Sequence, residues 1–514
     1  MATNKKARSP KKKALPKKNH AVKNQILEVA HRELGFDTLR PGQETAVRAL
    51  LEGRNCLTIM PTGAGKSAIY QIAGSMMKGL TLIVSPLIAL QKDQVEAIRE
   101  QMDEAALVIN SAQRASENRE AFEKLQEGVG KFVFLAPEQF HKRETVEALQ
   151  SAGVSLFVVD EAHCISEWGH DFRPDYLRLG PVIEALGHPV TLAMTATASP
   201  EVRDEIVRRL GLRDPEIIVQ GFDRPNIHLR VDRFENEDDK LQALVHRVRW
   251  AHKPGIVYVG TRRNAEEIMR LLKDEGVDSL FYHAGLKASE RTAIQEQFMA
   301  GQDDVIVATN AFGMGIDKSD VRFVYHYDVT DSIDSYYQEI GRAGRDGEKS
   351  EAILFFRPQD IGAQKFKAGE TRLEPENIEH VAEIVAGHDG PVGAEEIAEQ
   401  SNLSERKLTA AIHRLEDVGA LEVLPSGEVC IDEAARLSEA AQAAAEEQER
   451  RREMKRQRLL QMEEYAGLNS CRREYLLRYF GDQFSGPCNN CDNCEKRNPD
   501  IAVDPSIGTR REVA

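Results

Sequence analysis

Residues 56–67 read Cys56-Leu57-Thr58-Ile59-Met60-Pro61-Thr62-Gly63-Ala64-Gly65-Lys66-Ser67. A short apolar run of strand length enters a Pro/Gly turn, and Lys-Ser opens a helical stretch. Gly63 and Gly65 let backbone N–H groups turn inward around phosphate oxygens. Lys66 neutralises β/γ-phosphate charge, and Ser67 offers a hydroxyl to magnesium at a helix N-terminus. Thr62, Gly63, Gly65, Lys66 and Ser67 are therefore candidate nucleotide-binding residues, with Ser67 also a candidate magnesium ligand. Met60 stands where the strict phosphate-loop pattern has its first glycine.

Outward from this loop, apolar runs alternate with amphipathic stretches. The expected strands are Cys56 to Met60, Leu80 to Val84, Lys131 to Leu135, Leu156 to Val159 and Val190 to Met194, a βαβ rhythm that implies a parallel sheet. A second set follows at Gly255 to Val259, Ser279 to Tyr282, Asp304 to Ala308, Val321 to His326 and Ala352 to Phe356. The class is α/β, with two tandem parallel-sheet domains and a linker over Val219 to Asn226, where Gly221 and Pro225 break regular structure.

Leu156-Phe157-Val158-Val159 runs into Asp160-Glu161-Ala162-His163, so two carboxylates emerge at the carboxyl end of a buried strand, where such sheets place ligands. Asp160 is the candidate magnesium ligand and Glu161 the candidate for polarising the attacking water. The second domain ends its motifs with Gln338-Glu339-Ile340-Gly341-Arg342-Ala343-Gly344-Arg345. Arg342 and Arg345, three apart on an expected helical face, can stabilise transition-state charge on a nucleotide bound to the first domain. Gln338 joins Lys66, Asp160, Glu161, Arg342 and Arg345 as a candidate catalytic residue.

Length and composition set the frame. The chain has 514 residues, 41% hydrophobic and 29% charged, which excludes a collagenous, disulfide-stapled or largely disordered protein. No run of about 18 apolar residues marks a membrane span, and the N-terminus lacks the apolar stretch of a secretory signal. The net charge of −15 argues, taken whole, against a polyanionic partner, but residues 1–20 carry eight Lys or Arg and no acid. Four of the seven cysteines, Cys471, Cys488, Cys491 and Cys494, cluster at spacings suited to tetrahedral zinc. With four thiolates and no open position, such a site is structural.

Between the second sheet and the cysteines, Pro375 to Ala386, Ala394 to Gln400 and Ser404 to Val418 read as helices, and Ala420 to Leu424 with Glu428 to Ile431 as a hairpin around Pro425-Ser426-Gly427. That is winged-helix order. A long Ala/Glu/Arg-rich helix follows, with six basic residues and one acid between Arg450 and Arg458.

Lys66, the Asp160 to His163 tetrad, Thr195-Ala196-Thr197 and Arg342/Arg345 together resemble the superfamily-two helicases, and finer features resemble the RecQ DNA helicases. Gly35-Phe36 with Leu39-Arg40-Pro41-Gly42-Gln43 is similar to the RecQ motif in which the aromatic, Arg and Gln contact adenine, implying Phe36, Arg40 and Gln43 for that role. Cys164-Ile165-Ser166-Glu167-Trp168-Gly169-His170-Asp171-Phe172-Arg173-Pro174 is similar to the RecQ aromatic-rich loop. There Trp168 and Phe172 can stack on bases and Arg173 can bind phosphate, in a loop that begins one residue beyond His163. The cysteine cluster matches the RecQ zinc module. In the usual RecQ plan a winged helix follows that module, whereas here the winged-helix-like segment precedes it.

The resemblance implies two RecA-like domains, at 24–218 and 219–358, and the composition an unstructured basic tail at 1–23 before them. A winged-helix-like domain at 375–432, a long helix with zinc module at 433–498 and a tail at 499–514 complete the expected order. It further implies an ATP-dependent DNA helicase using ATP, Mg2+ and Zn2+, acting with 3′-to-5′ polarity on single-stranded and forked or junction DNA in repair or recombination. The expected location is the cytoplasm, at the nucleoid if bacterial. The competing expectations are a translocase that does not separate strands and a non-catalytic DNA-binding scaffold.

Overall fold

A computed structural model describes residues 17–498 except 62, 87, 103–105, 111–112, 167–171, 314–315, 317, 370–373, 389, 425–427 and 432–436. Thr62, Trp168, the hairpin tip Pro425-Ser426-Gly427, residues 1–16 and residues 499–514 lie outside the described residues. The expected unstructured tail at 1–23 is corrected over its last seven residues, which open the helix Lys17–Leu34 whose Ile26 and Ala30 are buried in the first unit's core. The chain divides into two compact units. The first comprises 1–162, 175–196 and 204–221, and the second 163–174, 197–203 and 222–514.

The first unit is built on seven strands: β1 Cys56–Ile59, β2 Leu80–Val84, β3 Ala106–Ile109, β4 Phe132–Leu135, β5 Val154–Val159, β6 Val190–Thr195 and β7 Glu216–Val219. They run in the order β3-β4-β2-β5-β6-β1-β7 with every pairing parallel. Every residue of β1, β2 and β4 is buried, the pattern of strands covered by helices on both faces. One of those faces packs Ile69, Tyr70, Ile72 and Ala73 of the helix Lys66–Met76 against Cys56, Ile83, Phe132 and Leu192.

The second unit holds β8 Ile227–Arg233, β9 Gly255–Tyr258, β10 Ser279–Tyr282, β11 Val305–Ala308, β12 Phe323–His326 and β13 Ser350–Phe356, in the order β10-β11-β9-β12-β13-β8 and again all parallel. Its core joins Leu244, Val248, Ile268 and Leu272 of two covering helices to Val257, Val307, Phe323 and Tyr325 of the sheet.

Three helices, Pro375–Ala386, Ala394–Ser401 and Glu405–Asp417, then precede an antiparallel hairpin of β14 Leu421–Val423 and β15 Val429–Ile431. An isolated bridge from Val392 to Val429 adds a third short strand segment, and a separate core forms around Ile378, Val381, Ile397, Leu408, Ala411 and Leu415. The long helix spans Leu437–Gly467, followed by helices Arg472–Tyr479 and Asp492–Arg497. Among the described residues no helix is long and apolar enough to cross a membrane.

Candidate active site and zinc centre

The phosphate loop sits where β1 hands the chain to the helix Lys66–Met76. Gly63 and Gly65 have φ of 80° and 78°, the left-handed region in which a side chain is strained. A Cβ on Gly65 would also lie 2.7 Å from Gln43 Nε2, so this position has no room for one. The reason is a set of hydrogen bonds from upstream. Gln43 Nε2 donates to the Gly65 carbonyl at 2.8 Å and to the Ala64 carbonyl at 3.3 Å, its Oε1 accepts from Arg40 N–H at 2.8 Å, and Arg40 Nη1 donates to the Gly63 carbonyl. Gln43 and Arg40 thus turn loop carbonyls outward, which leaves loop N–H groups to face an anion. Lys66 Nζ donates to the Met60 carbonyl at 3.1 Å, and Phe36 presents an exposed ring at 42% accessibility.

One strand separates β1 from β5, so the loop and Asp160 stand at carboxyl ends about 10 Å apart across the sheet. Asp160 Oδ2 accepts from Ser85 Oγ at 3.3 Å and Oδ1 from Glu161 N–H at 3.0 Å, while Tyr176 O–H donates to the Asp160 carbonyl at 3.0 Å. Burial and then the neighbouring Glu161 carboxylate push the Asp160 pKa up to about 6, against the pull of Lys66, the Glu161 N–H and Ser85. Two adjacent carboxylates at a desolvated strand end fit a divalent cation, whose charge reverses that penalty. Glu161 has φ 47°, left-handed for a residue with a Cβ, the local strain that clusters at functional positions.

In the second unit, the ends of β9, β11 and β12 open onto a cavity of about 290 Å³ lined by Tyr258, Asn310, His326, Gln338, Glu339 and Arg342, among others. The expectation that Arg342 and Arg345 share a helical face is corrected here. The helix Ile333–Ile340 ends before them, and both lie on turns, with Gly344 at φ 55°. They are held apart: Arg342, 6% exposed, donates through Nη1 to the Gly313 carbonyl, and Arg345 Nη1 donates to the Ile316 carbonyl at 2.8 Å. Gln338 and Arg342 meet at the cavity. Arg345 is not among the residues lining it.

Phe172 and Arg173 belong to the 163–174 segment of the second unit, closed at its ends by Arg173 N–H donating to the Cys164 carbonyl at 2.9 Å. Both are half-buried.

The Sγ atoms of Cys471, Cys488, Cys491 and Cys494 all lie within 4.8 Å of one another, and Cys488 and Cys494 are 3.9 Å apart. Tetrahedral zinc with Zn–S bonds near 2.3 Å requires S···S separations of about 3.8 Å, so the four thiols fit the ion. Cys471 is the residue before the helix Arg472–Tyr479 rather than part of it, and Cys491 occupies the same place before Asp492–Arg497. The centre is supported by a buried ion pair, Arg472 to Asp492 at 2.5 and 3.0 Å, with Arg472 Nη1 also donating to the Tyr465 carbonyl of the long helix. Leu229 of β8 bridges to Cys491, and His228 pairs with Glu495 at 2.7 Å.

Several positioning residues went unforeseen. Ser85 stands at the carboxyl end of β2, next to β5, and Asn310 and Gly313 just beyond β11, so the strand-end rule that found Asp160 could have found them. Tyr479, which donates to Asp334, and Arg203, which donates to the carbonyls of Ala198 and Phe480, carry no local signal.

Comparison with known proteins agrees with this geometry. The DEAD/DEAH box helicase model matches residues 40–206, the helicase conserved C-terminal domain model 239–347 and the RecQ zinc-binding model 431–495. Two RecA-like sheets, the first carrying a phosphate loop and an Asp-Glu pair, define an ATP-dependent helicase. The chain is 34% identical to the probable ATP-dependent DNA helicase RecS of Bacillus subtilis, over 95% of each chain. It is 45% identical to the ATP-dependent DNA helicase RecQ of the same organism over 65% of this chain, and spans 56% of that relative's length. It therefore belongs to the RecQ family of ATP-dependent DNA helicases. Among solved structures, the DUF1998 helicase MrfA bound to DNA shares the fold, with a TM-score of 0.55 and 17% identity over 81% of this chain and 63% of that one.

Proposed function

We propose that the chain hydrolyses ATP to move 3′-to-5′ along single-stranded DNA and to separate duplex at forks or junctions, in DNA repair or recombination in the cytoplasm, at the nucleoid in a bacterium. The observation that carries the reading is the arrangement at the carboxyl ends of one sheet's strands: a loop with outward-turned carbonyls, Lys66 at its end, and Asp160 and Glu161 two strands away.

Loop N–H groups from Gly63 to Ser67 bind the β- and γ-phosphates, and Lys66 exchanges its Met60 carbonyl for phosphate oxygen. The Ser67 hydroxyl and the Asp160 carboxylate hold magnesium, which when bound offsets the charge on the β/γ oxygens. Glu161 orients the water and accepts its proton. Arg342, Arg345 and Gln338 are the second domain's contribution to the γ-phosphate's developing charge. Phe36, Arg40 and Gln43 flank the base, and Arg40 and Gln43 also shape the loop. Trp168, Phe172 and Arg173 engage the single strand, and their place after His163 ties strand contact to Glu161. Cys471, Cys488, Cys491 and Cys494 hold zinc as a structural ion.

The test is Lys66→Ala in the full chain, assayed for DNA-stimulated phosphate release and for unwinding of forked duplexes with a single-stranded arm of either polarity. Loss of both activities is expected, and substantial residual turnover would count against the assignment. Wild-type hydrolysis without unwinding would favour translocation without strand separation.

A further inference from the structure

The helix Leu437–Gly467 carries its basic residues on separate faces. Arg452 pairs with Glu449 at 3.0 Å and Arg456 with Glu453 at 3.8 Å, both within the helix's own surface. Arg451, Lys455 and Arg458 recur at i, i+4 and i+7, which places them in a different stripe.

That stripe is turned toward two other elements of the same unit. The Arg451 guanidinium lies 5.0 Å from the centre of the Phe172 ring, the described aromatic of the loop after His163. Helix Glu405–Asp417 packs on the long helix and brings Arg414 of its last turn near Lys455. Lys455 is exposed at the surface, and desolvation by the surrounding protein, then Arg414, Arg458 and Arg451 as like charges, hold its pKa below the usual lysine value, with Asp331 opposing them. Arg451 thus stands against the aromatic ring, with Lys455 one turn on and Arg414 of the second helix near Lys455. A phosphate backbone is the complement of a basic face of this kind.

The geometry points to a phosphate-tracking stripe in which Arg451 and Lys455, flanked by Arg414, hold the backbone of the single strand whose bases meet Phe172, while Arg458, 8% exposed, lies beneath them. This rests on the DNA-helicase reading and extends it, because it assigns the segment before the zinc module a contact with the strand. From Arg451 to Lys455 the helix rises about 6 Å, on the order of the spacing between neighbouring phosphates of one strand. Contacts to phosphate carry no sequence information, so the stripe grips any sequence alike. The Arg451–Phe172 pair offers a base either a guanidinium plane or a ring face on which to stack.

The experiment measures binding of fluorescein-labelled oligo-dT by anisotropy over a series of salt concentrations, using the full zinc-loaded chain. Lys455→Gln and Arg414→Gln are each compared with wild type, with thermal melts verifying that both fold. Each variant is expected to reduce the slope of log affinity against log salt by about 0.7, the value for one phosphate contact on a single strand, and to weaken binding several-fold at low salt. Wild-type binding with unaltered slope and affinity in both folded variants overturns the stripe alone. Absence of oligo-dT binding by wild type overturns the DNA reading beneath it as well.

Discussion

Gln43 Nε2 donates to the Gly65 carbonyl at 2.8 Å, joining the segment before the first strand to the turn that holds phosphate. Gln43→Glu separates the two halves of this link. It keeps an oxygen for the Arg40 N–H but removes the donor and sets a carboxylate against loop carbonyls. The KM for ATP is expected to rise at least about tenfold, the equivalent of ~1.4 kcal/mol, in steady-state kinetics. An unchanged KM removes Gln43 as a support of the loop.

Gly313 lies against Arg342. A Cβ there would approach Arg342 Nη2 to 2.8 Å and push the guanidinium from the Gly313 carbonyl to which it donates. Gly313→Ala is expected to lower kcat for DNA-stimulated hydrolysis by about tenfold or more with little change in KM, the signature of an interaction made in the transition state. If kcat holds while melting shows a folded protein, Arg342 has no such role.

Asp334 gives a pH-dependent expectation. It is 2% exposed, and burial raises its pKa to about 6 although the Tyr479 hydroxyl, Arg458 and His163 pull it down; Asp331 adds to the rise. The folded state therefore holds a proton that the unfolded state releases near pH 4, and stability falls as pH climbs from there through 6. Asp334→Asn keeps an acceptor for Tyr479 without the charge. The difference in stability between variant and wild type, read from denaturant melts, is expected to grow in the variant's favour between pH 4 and pH 7, by up to about 3 kcal/mol. A difference independent of pH contradicts the shift.

The zinc centre gives a fourth. Elemental analysis is expected to find one zinc per chain, and Cys488→Ser to lower both zinc content and the melting temperature. Metal-free wild type, freshly purified under reducing conditions, would remove the assignment.

Most of the fold was legible because central strands are buried on both faces and read as unbroken apolar runs, as in β1, β2 and β4. The strands that escaped, β3, β7 and β8, are all sheet edges. β7 and β8 carry Glu216, His228, Arg230 and Asp232, which break the apolar signal, and β3 is short and lies between helical patterns without a Gly or Pro to set it off. The positions of the candidate site residues Lys66, Asp160 and Glu161 at strand ends were legible because each follows a recognisable strand. Arg342 and Arg345 were misplaced as a conformation: the helix ends at Ile340 with Gly341 as its cap, and helical spacing carries no information about the turns beyond it. The ties of Gln43 to Gly65 and of Tyr479 to Asp334 join positions 22 and 145 residues apart, beyond any local pattern.

The bridge between Leu229 and Cys491 has a further consequence. β8 is the outermost strand of its sheet, and an uncovered strand of this kind is a template for pairing with another chain. The metal knot seats its own backbone there, so the ion that folds the module also guards the molecule against self-association. Stripping it from intact protein should therefore produce sticking, visible as light scattering, rather than a clean loss of one small element.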